Sequence, residues 1–188
     1  MVRILVVCTG NICRSPFAEQ LLRHRFPPLG SQRPLAEFSS AGTHSASGQD
    51  MSPEAASRLQ ALGVPVTPHK ARQLTSQLLA DTDLVLCMAR EHRHWVVEHS
   101  PGHLRRAFTL REIATLLEHA PDVALPRDPA DRLLRLSALA AAARPAVRMR
   151  DPRTYEVADP FGRDDRAFDL MSDEIVPAVD SLVSFLTR

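Results

Sequence analysis

The sequence predicts an α/β protein in which helices flank a parallel β-sheet. Short segments that are β-branched or almost wholly apolar, typical of buried strands, alternate with segments in which apolar residues recur at helical spacing. The connections are short, and this alternation favours parallel strands joined through helices. The chain has 188 residues, 44% hydrophobic and 24% charged, which suits one domain with a hydrophobic core.

The elements follow in order along the chain. Strands are predicted at about residues 2–8, 35–41, 84–88 and 105–108. Helices are predicted at about residues 15–26, 53–62, 76–80, 90–99, 110–119, 129–143 and in the last segment. Side chains that cap helices locate several of their starts, namely Ser15, Ser52, Thr75, Thr109 and Asp128. Pro177 is expected to kink or split the last helix near Val176, because proline removes a helical hydrogen bond.

Composition excludes several classes of function. A net charge of +1 gives no broad field for nucleic acid or for a membrane surface. No apolar run is long enough to span a bilayer, and the N-terminus lacks the features of a signal peptide, so we predict a cytoplasmic protein. Three cysteines are an odd number without framework spacing, which argues against structural disulfides.

Four histidines crowd one stretch, but their spacing does not predict a metal site. They are His92, His94, His99 and His103. The one pair at the spacing of adjacent helical turns, His99 and His103, is separated by Pro101-Gly102, and no third ligand accompanies it. We therefore expect a solvated histidine-rich face, with no metal and no other cofactor.

Chemistry is concentrated near the N-terminus, where residues 6–16 read VVCTGNICRSP. The pattern predicts a strand, a tight loop and a helix that begins with Ser15 as N-cap and Pro16 as first residue. The N–H groups of residues 9–14, the helix dipole and Arg14 can surround one tetrahedral dianion. The same positive field favours Cys8 as a thiolate, a nucleophile that needs no histidine base. These residue types predict phosphoryl transfer through phosphocysteine.

The same Cys-x5-Arg spacing occurs once more, from Cys87 to Arg93, and its context is different. Glu91 follows Cys87, no glycine lets the backbone approach an anion, and the cysteine lies in a predicted buried strand. Cys8 is followed by Gly10 and Asn11, which tolerate positive φ. We therefore expect chemistry at Cys8 and none at Cys87.

The stretch at residues 7–16 resembles the signature of the low-molecular-weight protein tyrosine phosphatases. Residues 39–43 (SSAGT), 68–74 (PHKARQL), 83–88 (DLVLCM) and 159–162 (DPFG) also resemble this family, in the family's order. The likeness covers residues 1–119 and 156–188. It implies a three-layer sandwich around a four-stranded parallel sheet of order 2-1-3-4. It also implies a single phosphatase domain over 1–188, interrupted by an apparent insertion at about 120–155.

A thiolate that attacks a phosphomonoester needs an acid on the opposite side of phosphorus to protonate the leaving oxygen. Three Asp-Pro pairs compete, at Asp128, Asp151 and Asp159. Asp128 suits a helix N-cap, and Asp151 lies among arginines that favour its ionised form. Asp159 precedes Phe-Gly and the last helix, which matches the family's acid loop. We assign it as general acid, and then as the base that activates water.

The resemblance also implies supporting and substrate-binding residues. Asn11, Ser15, Ser40 and His69 match positions that hold the loop in shape, and Ser15 can hydrogen-bond the thiolate. The residues predicted to contact phosphate or substrate are Thr9, Gly10, Asn11, Ile12, Cys13, Ser15 and Phe161. Cys13 is also the partner expected to form a reversible disulfide with Cys8 under oxidation.

The predicted activity is metal-independent hydrolysis of protein phosphotyrosine, with a phosphorylated protein as partner and inorganic phosphate as product. Protein arginine phosphatases resemble this family closely, and Ile12, where they tend to have threonine, favours phosphotyrosine. Residues 42–50 lack the aromatic that many members place beside the phenyl ring, which leaves Phe161 and His44. Arsenate reductase requires a further cysteine pair, and a non-catalytic phosphoprotein-binding module would not need Cys8, Arg14 and Asp159 together.

Overall fold

A computed structural model describes residues 2–26, 36–119, 129–145, 147 and 151–187. Within these ranges the strands are Val2–Cys8 (β1), Ala36–Gly42 (β2), Leu84–Cys87 (β3) and Ala107–Thr109 (β4). The four strands are parallel and form one sheet of order β2-β1-β3-β4. The predicted parallel α/β architecture and strand order are confirmed. The fourth strand begins two residues later than expected and ends at the residue that caps the next helix.

Seven α-helices follow and separate the strands in the described part of the chain. They are Arg14–Arg25 (α1), Pro53–Ala61 (α2), Ser76–Ala80 (α3), Arg90–His99 (α4), Leu110–Glu118 (α5), Pro129–Ala143 (α6) and Asp165–Thr187 (α7). Ser52 and Thr75 cap α2 and α3 as predicted, and Thr109 and Glu112 form the capping box of α5. No helix in the described ranges combines the length and the apolar character needed to cross a bilayer.

Side chains of β1 alternate between two apolar layers, as the pleat of a strand requires. Ile4 and Val6 belong to the larger layer, which α1, α2, α5, α6 and α7 cover. Leu5 and Val7 belong to the smaller layer, beneath α3 and α4. Both faces of β1 are covered. Cys8, its last residue, lies at the carboxyl edge of the sheet, where the neighbouring strands β2 and β3 also end.

Helix α6 lies in the apparent insertion and contributes to the core. Its residues Leu133, Leu136 and Ala140 are buried in the larger layer, whereas Leu134 is 61% exposed. It packs against α5 and α7. The buried residues of α6 therefore cover part of the core. Its predicted cap, Asp128, lies outside the described residues.

Two local predictions about helices are wrong. Ser15 is not an N-cap: α1 begins at Arg14, two residues before the predicted first residue, with Cys13 in the N-cap position, and no side chain caps it. The Ser15 hydroxyl lies instead within hydrogen-bonding distance of a cysteine sulfur. Pro177 does not split the last helix, because α7 runs unbroken from Asp165 to Thr187 and packs against α1, α2, α5 and α6. The alternative outcome, a kink near Val176, stays a prediction.

The histidine-rich stretch is only partly solvated. His94 and His99 are exposed, but His92 and His103 are 1% and 3% exposed. The His103 ring lies between the Ser100 hydroxyl and the Thr82 carbonyl, and its burial lowers its pKa. Both buried rings thus take part in hydrogen bonds, which the spacing of the histidines did not predict.

Two described arginines, Arg144 and Arg153, precede Asp159 in the sequence and have different surroundings. Arg144 pairs with Glu112 and lies over the Phe108 ring. Arg153 lines a cavity of about 400 Å³ that also borders Arg14. One of the two therefore stabilises the fold and the other reaches the rim of the candidate site.

Candidate active site

The backbone between β1 and α1, named here the 8–14 loop, turns its carbonyls outward. Five consecutive carbonyls, of residues 8 to 12, each accept a hydrogen bond from another segment. Their donors, in order, are the N–H groups of Thr43, His44 and Ala46, Nε2 of His69 and the N–H of Ser52, at 2.9, 3.0, 3.0, 2.7 and 2.8 Å. Because a trans peptide points its N–H opposite to its carbonyl, the N–H groups of residues 9 to 13 face inward. The loop is thereby a concave array of donors.

Two positions of the backbone make this shape possible. Asn11 adopts φ of 58°, in the left-handed region that asparagine tolerates better than most residues. Gly42, at the end of β2, lies against the loop so closely that a Cβ there would be 2.4 Å from the Thr9 carbonyl oxygen. The glycine is required for this close approach.

A buried network fixes the side chain of Asn11 beneath the loop. Its Oδ1 accepts the N–H of Arg72 at 2.9 Å, which identifies its Nδ2 as the donor. Nδ2 donates to the hydroxyls of Ser15 and Ser40, at 2.9 and 2.8 Å. The Ser40 hydroxyl in turn donates a hydrogen bond to the Glu19 carboxylate at 2.6 Å. Every group in the network has a partner, so the loop is held rigidly from below.

The thiol of Cys8 lies at the centre of the loop and receives two hydrogen-bonding groups. The N–H of Asn11 donates to its sulfur at 3.2 Å, and the Ser15 hydroxyl is 3.0 Å away. Because Ser15 already accepts from the Asn11 amide, its hydrogen is available for the sulfur. Two hydrogen-bond donors are therefore directed at the sulfur that the sequence predicts as the nucleophile.

Arg14 reaches across the same cavity from the first residue of α1. It is 4% exposed, and its Nη2 donates to Asp159 Oδ2 at 2.6 Å and to the Thr9 hydroxyl at 3.2 Å. Its Nη1 contacts the carbonyl of Val157 at 3.5 Å. Asp159 is partly exposed and sits beside the mouth of the cavity. The structure therefore brings Cys8, Arg14 and Asp159 to one place from distant parts of the sequence.

These groups border a cavity of about 240 Å³. Thr9 and Gly10 lie at its base, and Ile12 and Cys13 also line it. Phe161, 69% exposed, stands at the rim together with Asp159. The wall opposite comes from His44, Ser45 and Ala46, of which only His44 was expected from the sequence.

Four of the predicted site residues act beneath the cavity rather than in its wall. Asn11 and Ser15 are fully buried and do not line it, although both were also predicted to contact phosphate. Ser40 belongs to the Asn11 network, and His69 holds the Asn11 carbonyl. Their side chains contact the loop or the Asn11 network, and the supporting role that the resemblance implies for all four stays a prediction.

Three cysteines are free in the described structure, and two of them, Cys13 and Cys87, have raised pKa values. Burial raises the pKa of Cys13 by more than its contact with Ser52 lowers it. Cys87 is fully buried, which raises its pKa far above the ordinary range. Arg93, the arginine spaced after Cys87, donates to the Ala107 carbonyl at 2.7 Å instead of facing a cavity. The second Cys-x5-Arg therefore has no site around it.

His92 borders the site and was not found from the sequence. Its Nε2 lies 2.9 Å from the Thr9 hydroxyl, and burial together with the nearby charge of Arg14 lowers its pKa to about 3. The available signal was its place shortly after β3, since the carboxyl ends of neighbouring parallel strands meet at one edge. That signal identifies an edge of the sheet, but it does not identify a particular histidine.

A sulfur nucleophile, inward N–H groups, a guanidinium and a carboxylic acid define a cysteine-dependent phosphatase on a parallel α/β fold. The model of one family, low molecular weight phosphotyrosine protein phosphatase, matches residues 3–136. The chain belongs to this family. This confirms the family and the class of enzyme that the sequence predicted.

Relatives of two named activities resemble the chain. A low molecular weight protein-tyrosine-phosphatase, Ptp of Acinetobacter johnsonii, is 35% identical over 107 residues, which is 57% of this chain and 70% of the relative. A protein-arginine-phosphatase of Geobacillus stearothermophilus is 35% identical over 113 residues, which is 60% of this chain and 72% of the relative.

Solved structures give the same pair of activities. The YwlE arginine phosphatase from Geobacillus stearothermophilus superimposes with a TM-score of 0.70 at 26% identity, covering 98% of this chain and 92% of its own. A low molecular weight protein tyrosine phosphatase from T. tengcongensis gives a TM-score of 0.69 at 26% identity, covering 98% and 99%. Fold similarity therefore does not distinguish phosphotyrosine from phosphoarginine as the substrate.

Proposed function

We propose that this protein hydrolyses phosphotyrosine in proteins through a phosphocysteine intermediate formed on Cys8, without a metal ion. The observation that carries the proposal is the 8–14 loop, with its carbonyls turned outward around a sulfur that receives two donors. Such an array stabilises the charge on the equatorial oxygens of a phosphoryl group in transfer. The residues of the loop then bind the phosphoryl group through their backbone N–H groups. Arg14 supplies the one guanidinium among the described lining residues.

In the first step, the Cys8 sulfur attacks phosphorus while the bond from phosphorus to the phenolic oxygen breaks. Arg14 and the inward N–H groups hold the three remaining oxygens. Asp159 transfers its proton to the departing oxygen, so tyrosine leaves neutral. The products of this step are a dephosphorylated tyrosine residue in the substrate protein and phosphocysteine at position 8 of the enzyme.

In the second step, water attacks the phosphocysteine and Asp159 takes up its proton. The sulfur–phosphorus bond breaks, inorganic phosphate leaves and Cys8 returns as a thiolate. The Asn11 N–H and the Ser15 hydroxyl stabilise that thiolate as a leaving group. One carboxyl group thus acts as acid and then as base.

Asp159 pairs with Arg14 in the free protein, which determines how substrate must bind. A phosphate dianion competes with the carboxylate for the same guanidinium nitrogen. Once the dianion holds Arg14, Asp159 has lost its cationic partner and gained a negative neighbour, and both changes favour its protonated form. Substrate binding therefore prepares the acid for the first step.

The rim supports an aromatic substrate. Ile12 and Phe161 offer apolar contact to a phenyl ring, and no acidic side chain among the described lining residues except Asp159 is available to a substrate guanidinium. Arginine phosphatase activity is the second candidate, which the similarity to the Geobacillus enzymes favours. Ile12 is the residue that we expect to decide between them.

The experiment that tests this function compares matched peptides carrying phosphotyrosine or phosphoarginine, in the presence of a chelator. We expect faster turnover of phosphotyrosine, and a shift towards phosphoarginine in Ile12→Thr. Cys8→Ser should lose turnover and phosphocysteine trapping with both peptides. Preference of the wild type for phosphoarginine would reject the substrate, and an active Cys8→Ser would reject the mechanism.

The role of Asp159 is tested with two substrates that differ in leaving group. Asp159→Asn should slow phenyl phosphate by about 10²–10⁴-fold, the usual contribution of a general acid. It should slow p-nitrophenyl phosphate far less, because that phenolate needs little help. Equal losses would assign the proton to another group. Asp151→Asn is the matched control, since this exposed residue caps the turn at Pro152–Tyr155.

Two further features belong to the proposal. We place the protein in the cytoplasm, where three free thiols remain reduced. We also propose that residues 1–188 form one phosphatase domain with an insertion at about 120–155, which is supported by the buried side chains of α6. Limited proteolysis of the full chain tests this organisation, and it should release no stable fragment.

A further inference from the structure

His92 contacts the active-site loop from the first turn of α4. Its Nδ1 accepts the N–H of Ala89 at 3.0 Å, so that nitrogen carries no hydrogen. In the neutral ring the hydrogen therefore sits on Nε2, which is 2.9 Å from the Thr9 hydroxyl oxygen. The tautomer follows from the backbone contact, and it makes His92 the donor to Thr9.

The ring stays neutral under ordinary conditions. Burial is the main cause of its lowered pKa, and the interactions with Arg14 and His44 act in the same direction. Glu91 lies 3.4 Å from Nε2, but its side chain is 74% exposed and weakly opposes them. His92 therefore presents the same hydrogen to Thr9 across the neutral range of pH.

The Thr9 hydroxyl receives a second hydrogen bond, from Nη2 of Arg14 at 3.2 Å. A hydroxyl has two lone pairs and one hydrogen. With His92 and Arg14 on the lone pairs, the hydrogen of Thr9 is left to point elsewhere, and Thr9 lines the cavity. A phosphate oxygen in that cavity is an acceptor for this hydrogen.

We infer that His92 is a positioning residue for phosphoryl transfer, which orients the Thr9 hydroxyl as a donor to the bound phosphate and holds it against Arg14. This inference rests on the proposed function and deepens it. His92 touches no reacting atom, so its influence must pass through Thr9. Loss of His92 would leave the Thr9 hydroxyl free to turn its lone pairs towards the phosphate.

Two substitutions separate this role from a structural one. In His92→Asn the short amide can still accept the Ala89 N–H but cannot reach Thr9. In His92→Gln the longer amide can donate to Thr9. We expect His92→Asn to reduce kcat/KM and the affinity for inorganic phosphate by roughly tenfold, the scale of one well-placed hydrogen bond. His92→Gln should recover most of both, and His94→Ala, an exposed control on α4, should change neither.

A double-mutant cycle with Thr9→Val then tests the route. If His92 acts through Thr9, His92→Asn should cost nothing further in the Thr9→Val background. Independent losses, or a loss in His92→Gln equal to that in His92→Asn, would overturn the inference. Thermal unfolding of each variant identifies losses that come from misfolding. If His92→Asn does not fold, the test is made instead by comparing His92→Gln with Thr9→Val and Thr9→Ser.

Calorimetric titration with inorganic phosphate separates this inference from the proposed function, because it needs no turnover. Coupling between His92 and Thr9 in phosphate affinity would support the positioning role even if the wild type hydrolysed neither phosphopeptide. Conversely, an active wild type with no coupling would retain the proposed function and reject the role of His92.

Discussion

Acidification should destabilise this protein through His92, and the size of the effect can be worked out. The pKa of His92 falls from an ordinary 6.5 to about 3 in the folded chain, because burial and Arg14 disfavour its charged form. Between these values the unfolded chain binds a proton that the folded chain rejects. The stabilising contribution is therefore present above pH 6.5 and is lost as the pH falls towards 3.

From pH 8 to pH 5 the linkage relation gives a loss of about 2 kcal/mol from this one residue. Its side chain is 1% exposed, so solvent screening does not reduce the figure substantially. His103 also has a lowered pKa, and its contribution has the same sign. The measurement must therefore isolate His92 from other groups that titrate.

The assay is urea unfolding of the wild type and of His92→Gln at pH 8 and pH 5, followed by the fluorescence of Trp95. The effect of His103 is common to both proteins and cancels in the difference. We expect the stability difference between wild type and variant to move by about 2 kcal/mol, in favour of the variant at pH 5. A difference that stays constant with pH would refute the argument that His92 is held neutral by its surroundings.

Three further predictions concern the loop, α6 and oxidation. Gly42→Ala should lower both stability and phosphate affinity, because the new Cβ would be 2.4 Å from a loop carbonyl, whereas Gly102→Ala meets nothing within 4 Å and should be close to neutral by thermal melting and phosphate titration. Leu136→Ala should lower the free energy of unfolding by about 2–5 kcal/mol in urea, while the exposed Leu134→Ala should change it by less than about 0.5 kcal/mol. Cys13→Ser should retain most turnover yet lose recovery by dithiol after peroxide, and mass spectrometry that found only sulfinic acid on the proposed nucleophile of the wild type would contradict the expected disulfide.

The fold and the centre of the site follow from local patterns. Residues 6–16 combine a strand, a donor-rich turn and a helix start in consecutive positions. The position of Arg14 relative to Cys8 can therefore be predicted from the sequence. Capping boxes such as Thr109 with Glu112 are equally local. Asp159 was harder to place, since its position beside Arg14 depends on a contact across most of the chain, and the family resemblance supplied it.

What was missed or wrong depends on competition between local and distant partners. Ser15 has the chemistry of an N-cap, but its hydroxyl is engaged by Asn11 and Cys8 instead. Pro177 lacks a helical donor, yet the packing of α7 on other helices maintains one helix through it. His92 resembled its solvated neighbours in sequence, and only the fold brings it to Thr9. The roles assigned to the individual site residues stay predictions.

The outward carbonyls of the 8–14 loop have a consequence for how the site responds to its surroundings. Its inward donors are peptide N–H groups, which neither gain nor lose protons and cannot be removed by exchanging one side chain for another. These donors therefore keep their hydrogens throughout the pH range in which the protein is folded. Changes in phosphate affinity with pH must come from the second ionisation of the ligand and from the few side chains beside the loop.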